Sequence, residues 1–165
     1  MRKRTPPKAS RPHMPGYGIV GAKSGKGLLP WRWARERLTK ARRYWLATTR
    51  PDAQPHVMPV WGLWLDEAFY FSTGRQSRKG RNLAKNPRCV ACVERGGDAV
   101  IVEGVVAEVR SRALLGRFAR GYLRKYEWDV SEMEEPVYAV RPRVVFGLRE
   151  KDFTSSATRW VFRKG

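Results

Sequence analysis

Residues 74–82 read GRQSRKGRN and place four cations in nine positions. Ser77 is a natural helix N-cap and Asn86-Pro87 a natural stop, so a helix is expected between them. Arg78 and Lys79 then fall in its first turn, where the macrodipole is positive and each cation is unfavourable by about 0.3 to 1 kcal/mol. A bound anion reverses that penalty. A helix start offers free N–H groups, and Ser, Arg and Lys side chains beside it make an oxyanion clamp suited to phosphate. A solvated basic helix face fits the nonapeptide equally well. Just upstream, Ser72-Thr73-Gly74 supplies two hydroxyls and a permissive glycine, which suit polyol or phosphate oxygens or a simple turn. Met58-Pro59-Val60-Trp61-Gly62 puts Pro and Gly in the middle of an apolar strand, removing a ladder donor and baring backbone. Such a strand is either an edge or the neighbour of something flat that approaches the main chain closely.

Competing chemistry finds little material. His13 lies in the basic N-terminal stretch and His56 opens a strand, so neither has the partners of a catalytic triad or a zinc site. Cys89 and Cys92, three apart in an apolar strand, point to opposite faces and read as two buried reduced thiols. Glu103, before Gly104 in a strand, is a candidate buried acid, with an ordinary salt bridge to a nearby Arg as the simpler account.

The elements that must position these groups follow from periodicity. Trp31, Ala34, Leu38, Ala41 and Trp45 recur at three and four residues, giving a basic amphipathic helix from Pro30. Strands are expected at 44–49, 56–65, 68–72, 89–94, 99–109, 137–148 and 158–162, with a second amphipathic helix marked by Leu114, Leu115, Phe118, Tyr122 and Tyr126. Short turns between most strands point to a mainly β, α+β fold, an antiparallel barrel with helical additions, rather than βαβ units.

The formal net charge is +19, from 34 Lys and Arg against 15 Asp and Glu in 165 residues. Residues 1–43 contribute thirteen cations and only Glu36, and residues 75–88 six cations and no acid, so the remainder is nearly neutral. This distribution implies anionic partners. Residues 1–29, rich in Pro, Gly, Lys and Ser, are expected to be a tail, disordered or draped over the surface, ahead of one domain at 30–165. A nucleic-acid-binding module is the rival from another class, resting on that tail. No secretory leader or membrane span is read, so a cytoplasmic protein is expected.

The order of the Met58-Pro59-Val60-Trp61 strand, FYFSTG and SRKGRNLAKNPRCVACVE resembles the flavin-binding split-barrel family, which includes pyridoxamine 5′-phosphate oxidase and the deazaflavin-dependent reductases. The similarity is strongest from Ala41 to Val109. It implies a homodimer of split β-barrels of the FMN-binding type, with each cofactor at the subunit interface and a small-molecule substrate. By that resemblance Ser77, Arg78 and Lys79 bind the cofactor phosphate, and Ser72 and Thr73 its ribityl chain and phosphate. Met58, Pro59, Val60 and Trp61 line the ring, mainly through backbone. Asn82 matches a polar ring or phosphate contact, and Arg159 and Trp160 match positions that reach the cofactor from the other subunit. The vitamin B6 oxidases carry an Arg-x-His element where this chain has Phe153-Thr-Ser-Ser-Ala-Thr158, which argues against pyridoxamine phosphate oxidation. The Met-Pro-Val-Trp strand and Leu29-Pro-Trp are more similar to the branch using coenzyme F420, whose anionic tail suits a basic surface. FMN, in an oxidase or flavin reductase, is the alternative cofactor. Hydride chemistry belongs to the cofactor, so no catalytic dyad is required of the protein.

Overall fold

The computed structural model describes residues 6–19 and 25–163. Nine strands and four helices follow in the order β1 (Lys8–Ser10), α1 (Trp31–Lys40), β2 (Tyr44–Thr49), β3 (Pro55–Val60), β4 (Gly62–Leu65), β5 (Ala68–Ser72), α2 (Arg78–Lys85), β6 (Arg88–Arg95), β7 (Asp98–Glu108), α3 (Arg112–Tyr126), β8 (Val137–Arg149), α4 (Phe153–Ser156) and β9 (Thr158–Val161). All strand pairs are antiparallel.

Strand β8 organises the sheet. Its first half pairs with both β7 and β5, and its second half with β7 and β9. The strands therefore run β4-β5-β8-β7-β6-β2-β3 around a barrel whose two ends, β3 and β4, are consecutive in the chain yet not paired. That seam is the split in the barrel, as the antiparallel split-barrel expectation requires.

The single strand expected at 56–65 is in fact two, interrupted at Trp61. Pro59 lacks an amide donor, which confines β3 to the sheet edge. A Cβ on Gly62 would meet Tyr70 O at 2.3 Å and Phe69 Cε2 at 2.4 Å, so only glycine lets β4 start this close to β5.

Alternation along β2, β6 and β7 sends Tyr44, Leu46, Ala91, Val93, Val100 and Val102 inward to the main core. Helix α1 plugs this core with Trp33, Ala34 and Leu38, while Arg37 lies 3.8 Å above the Trp33 ring and donates to Asp98. A second, smaller core forms where Phe118 and Tyr126 of α3 pack on Leu63, Tyr70 and Ala139 from β4, β5 and β8.

The N-terminal stretch is more ordered than its composition suggests. Of residues 1–29, the described parts include β1, which pairs with β9, and Leu29, which is buried. Arg11 is also buried, and its guanidinium donates to the backbone carbonyls of Ala157 (2.9 Å), Ser155 (2.6 Å) and Lys26. The rest of the expected tail, 1–5 and 20–24, lies outside the described residues. No helix among the described residues is long and apolar enough to cross a membrane.

Candidate functional site

The expected helix start is present. Ser77 is the N-cap of α2, its Oγ accepts from Gly80 N–H at 3.1 Å, and Asn86 is the C-cap. No acidic residue occupies the first turn. Among the described residues neither Arg78 nor Lys79 has an acidic partner, whereas Arg75 is neutralised by a two-pronged contact with Glu108 at 2.6 and 2.9 Å. Two cations thus stand uncompensated where the helix dipole is already positive. Gly80 lets the helix settle this low: a Cβ there would lie 2.4 Å from Gly74 O.

Thr73, buried at the end of β5, places its hydroxyl 2.9 Å from Ser77 Oγ. If Thr73 donates, the Ser77 hydroxyl proton is free for an anion while its lone pair caps the helix. Ser72 donates to Pro136 O at 3.0 Å, so it meets an incoming polyol as an acceptor.

Gly62, the first residue of β4, pairs with Phe71 of β5, and Trp61 precedes it at the break between β3 and β4. Helix α2 docks beside β2 through Asn82 Nδ2, which donates to Thr48 Oγ1 at 3.0 Å, and Thr48 pairs with His56 of β3. Met58–Val60 thus lie on the β3 edge of the seam, and Ser72, Thr73 and the α2 start follow β5, the neighbour of the β4 edge. Met58 and Trp61 are 43% and 46% exposed, whereas Val60 points into the core and offers backbone alone.

Two predicted residues are buried. Asn82 lies beneath the helix, where its Nδ2 ties α2 to β2. Its Oδ1 has no protein donor, an unmet demand of about 1 to 3 kcal/mol that a bound ligand or water would satisfy. Trp160 is 1% exposed and fills the core, because alternation along β9 turns it inward and leaves Arg159 on the outer face. Arg159 shares a row with Pro59 through Trp45, Cys92, Ile101 and Phe146. Five strand spacings of about 4.8 Å separate the two along the sheet, while on the other side of the barrel Trp31 bridges Trp160 of β9 and Trp64 of β4.

The orphaned Asn82 acceptor, the paired hydroxyls and the uncompensated cations fit a phosphorylated polyol. A surface groove of about 810 Å³ between Lys40, Arg42, Arg43 and Arg95 lies at the far end of β6 and contains none of the predicted residues. A groove of about 430 Å³ is nearer, and Thr48, Pro55, Arg88 and Arg143 line it.

The remaining candidates resolve simply. Glu103 is exposed on the outer face and has no ion pair among the described residues, so it is not a buried acid. His13 is exposed, and His56 Nδ1 lies 3.5 Å from Thr48 Oγ1, too long for a strong hydrogen bond. No group of three His, Cys, Asp or Glu able to hold a metal occurs among the described residues. Cys89 is buried, and burial pushes its thiol up to about 12; Cys92 is half-buried and raised first by burial, then by Glu94. Since the thiolate is the reactive form, Ellman's reagent at neutral pH should label neither thiol of the native protein within minutes, and both after unfolding. Rapid labelling of native protein would contradict this placement.

Sequence reasoning missed the cluster around the break. Trp61 stacks on Tyr126 with centroids 5.3 Å apart and planes at 7°, and Trp128 meets it edge-on. Lys125 and Tyr126 of α3 both bond Gly62. The visible signal was the aromatic end of the α3 stripe, Tyr122 and Tyr126.

A family model described as pyridoxamine 5′-phosphate oxidase matches residues 32–150, and the chain belongs to that family. Its architecture is the flavin-type oxidoreductase fold of that family. Over 67 residues the chain is 42% identical to a pyridoxine/pyridoxamine 5′-phosphate oxidase of Alkalilimnicola ehrlichii, a match spanning 39% of this chain and 34% of that protein. The chain thus aligns with only about a third of the curated relative. Among solved structures, an F420 reductase superposes with TM-score 0.57 at 24% identity, covering 67% of this chain and 94% of its own. A FAD-binding protein of Mesorhizobium loti superposes with TM-score 0.60 at 19% identity, covering 82% and 96%. At such identities the likeness concerns the fold.

Proposed function

We propose that this protein is an oxidoreductase that binds coenzyme F420 at the barrel seam and transfers hydride to or from a small organic substrate at a C–C bond. The observation that carries this reading is the pair of uncompensated cations, Arg78 and Lys79, in the first turn of α2 beside the Thr73–Ser77 hydroxyl pair. Such a site wants phosphate, and the bare Met58–Trp61 strand beside it suits a flat ring. When bound, the cofactor supplies the hydride chemistry. The protein binds its phosphate at Ser77, Arg78 and Lys79 and its polyol at Ser72 and Thr73. The backbone of β3 meets the ring, and Trp61 screens it from water.

The similarity of Met58-Pro59-Val60-Trp61 to the F420 branch, the missing Arg-x-His element and the basic surface favour the deazaflavin. FMN is the second reading, supported by the family to which the chain belongs. Calorimetric titration of the purified protein with F420 and with FMN tests this directly. Tighter binding of F420 is expected; FMN binding more tightly would move the protein to the second reading, and no binding of either would end both.

The functional unit is a homodimer built on the outer sheet face. Trp45 and Val57, about half exposed, stand on it beside Val90 and Cys92. Arg159, partly exposed on the outer face of β9, reaches the seam of a second copy. Sedimentation equilibrium should give a dimer mass, and Trp45→Glu should yield monomers that bind cofactor weakly. A monomeric wild type that binds cofactor fully would remove the dimer from the proposal.

A further inference from the structure

At the break between β3 and β4, helix α3 takes up the peptide groups of Gly62. Its N–H donates to Tyr126 Oη at 3.0 Å, and its carbonyl lies 2.8 Å from the same hydroxyl and accepts from Lys125 Nζ at 3.0 Å. The Trp61 side chain, one residue earlier, is stacked on the Tyr126 ring. A chain break leaves backbone groups that must find partners, and here both partners come from adjacent residues of one helix turn. We propose that Lys125 and Tyr126 are positioning residues that fix the Trp61–Gly62 corner, so that the ring side of the cofactor site responds to the charge on Lys125. This deepens the cofactor reading and rests on it for its functional meaning.

Lys125 is well placed to be such a control point. It is half-buried, and among the described residues it has no carboxylate partner. Facing it are Arg42 from the segment after α1, whose guanidinium donates to Lys125 O at 2.6 Å, Tyr44 from β2, whose hydroxyl is 3.5 Å from Nζ, and Tyr126. Burial first, then Arg42, hold the ammonium down to about 8. Both tyrosines are pushed up, mainly by burial, and Arg42 keeps its charge throughout. Lys125 is therefore the member of this group that changes charge between neutral and mildly alkaline pH. Below that midpoint the ammonium grips the Gly62 carbonyl; above it the neutral amine grips less firmly, and the Trp61–Tyr126 stack loosens.

The test uses the full chain without cofactor, following tryptophan emission between about pH 6.5 and 9.5. Wild type should show a step centred near the Lys125 midpoint, and both Lys125→Met and Trp61→Phe should abolish it. A flat wild-type profile, or a step that survives either substitution, overturns the proposal. In a second arm, Lys125→Met should weaken whichever of F420 or FMN binds wild type by about fivefold at pH 7, with Lys125→Arg restoring affinity to within about twofold. Unchanged affinity in Lys125→Met, at an unchanged melting temperature, also overturns it. Should wild type bind neither cofactor, the functional reading fails while the emission step still decides the role of Lys125.

Discussion

Replacing Arg78 and Lys79 together by alanine should weaken binding of the preferred cofactor by more than tenfold while leaving the melting temperature of the cofactor-free protein unchanged or slightly higher. A hydrogen bond to a charged group contributes about 1.5 to 3 kcal/mol, so two lost together exceed a factor of ten even if they overlap strongly. The stability change has the opposite sign. Both side chains sit at the positive end of the α2 dipole with no acid nearby, so each removal relieves about 0.3 to 1 kcal/mol. A merely solvated basic helix face would also gain stability but would not lose affinity, so titration calorimetry paired with thermal melting separates the two accounts. Unchanged cofactor affinity in the double variant removes the phosphate assignment.

Trp160→Ala should destabilise the fold by about 3 to 5 kcal/mol, the range for deleting a large buried aromatic. Trp160 is 1% exposed and meets Trp31 edge-on at 5.4 Å. Its ring also lies over Gly147, where a Cβ would come within 2.7 Å, so the backbone of β8 is shaped around the indole. Alanine leaves a void among elements that cannot easily collapse onto one another. Denaturant unfolding should show a lower midpoint with the slope preserved. A loss below about 1 kcal/mol would place the indole outside the core and return it to the partner-facing role that the family resemblance implied.

Much of this architecture was legible in the residues themselves. The Ser77 cap, the Asn86 stop and the alternation of β2 and β6 are strong local signals, and the structure places these elements within a residue or two of expectation. The break at Trp61 was not legible, because Pro59 and Gly62 are equally compatible with one continuous edge strand, and only the approach of β5 decides between them. Asn82 was matched to a ligand contact through the family resemblance, and only the fold shows that its Nδ2 also ties α2 to Thr48. Strand β9, four residues long, is too short for its alternation to show which of Arg159 and Trp160 faces inward. Lys125 sits in an Arg-Lys pair on a helix with five cations, and nothing in the string of residues separates it from its solvated neighbours. Arg11 was hidden by company: Pro, Gly and Lys around it are the composition of a tail, whereas its burial depends on carbonyls more than 140 residues away.

That last contact carries a consequence for how the molecule is made. Strand β1 covers the open flank of β9, and the pairing of Lys8 with Val161 joins the two extremes of the described chain. Strand β1 must stay unpaired until β9, far along the chain, is in place, and closing so long a loop is entropically demanding. Until then the flank of β9 remains a template for stray strands. The buried guanidinium is the clasp of that closure.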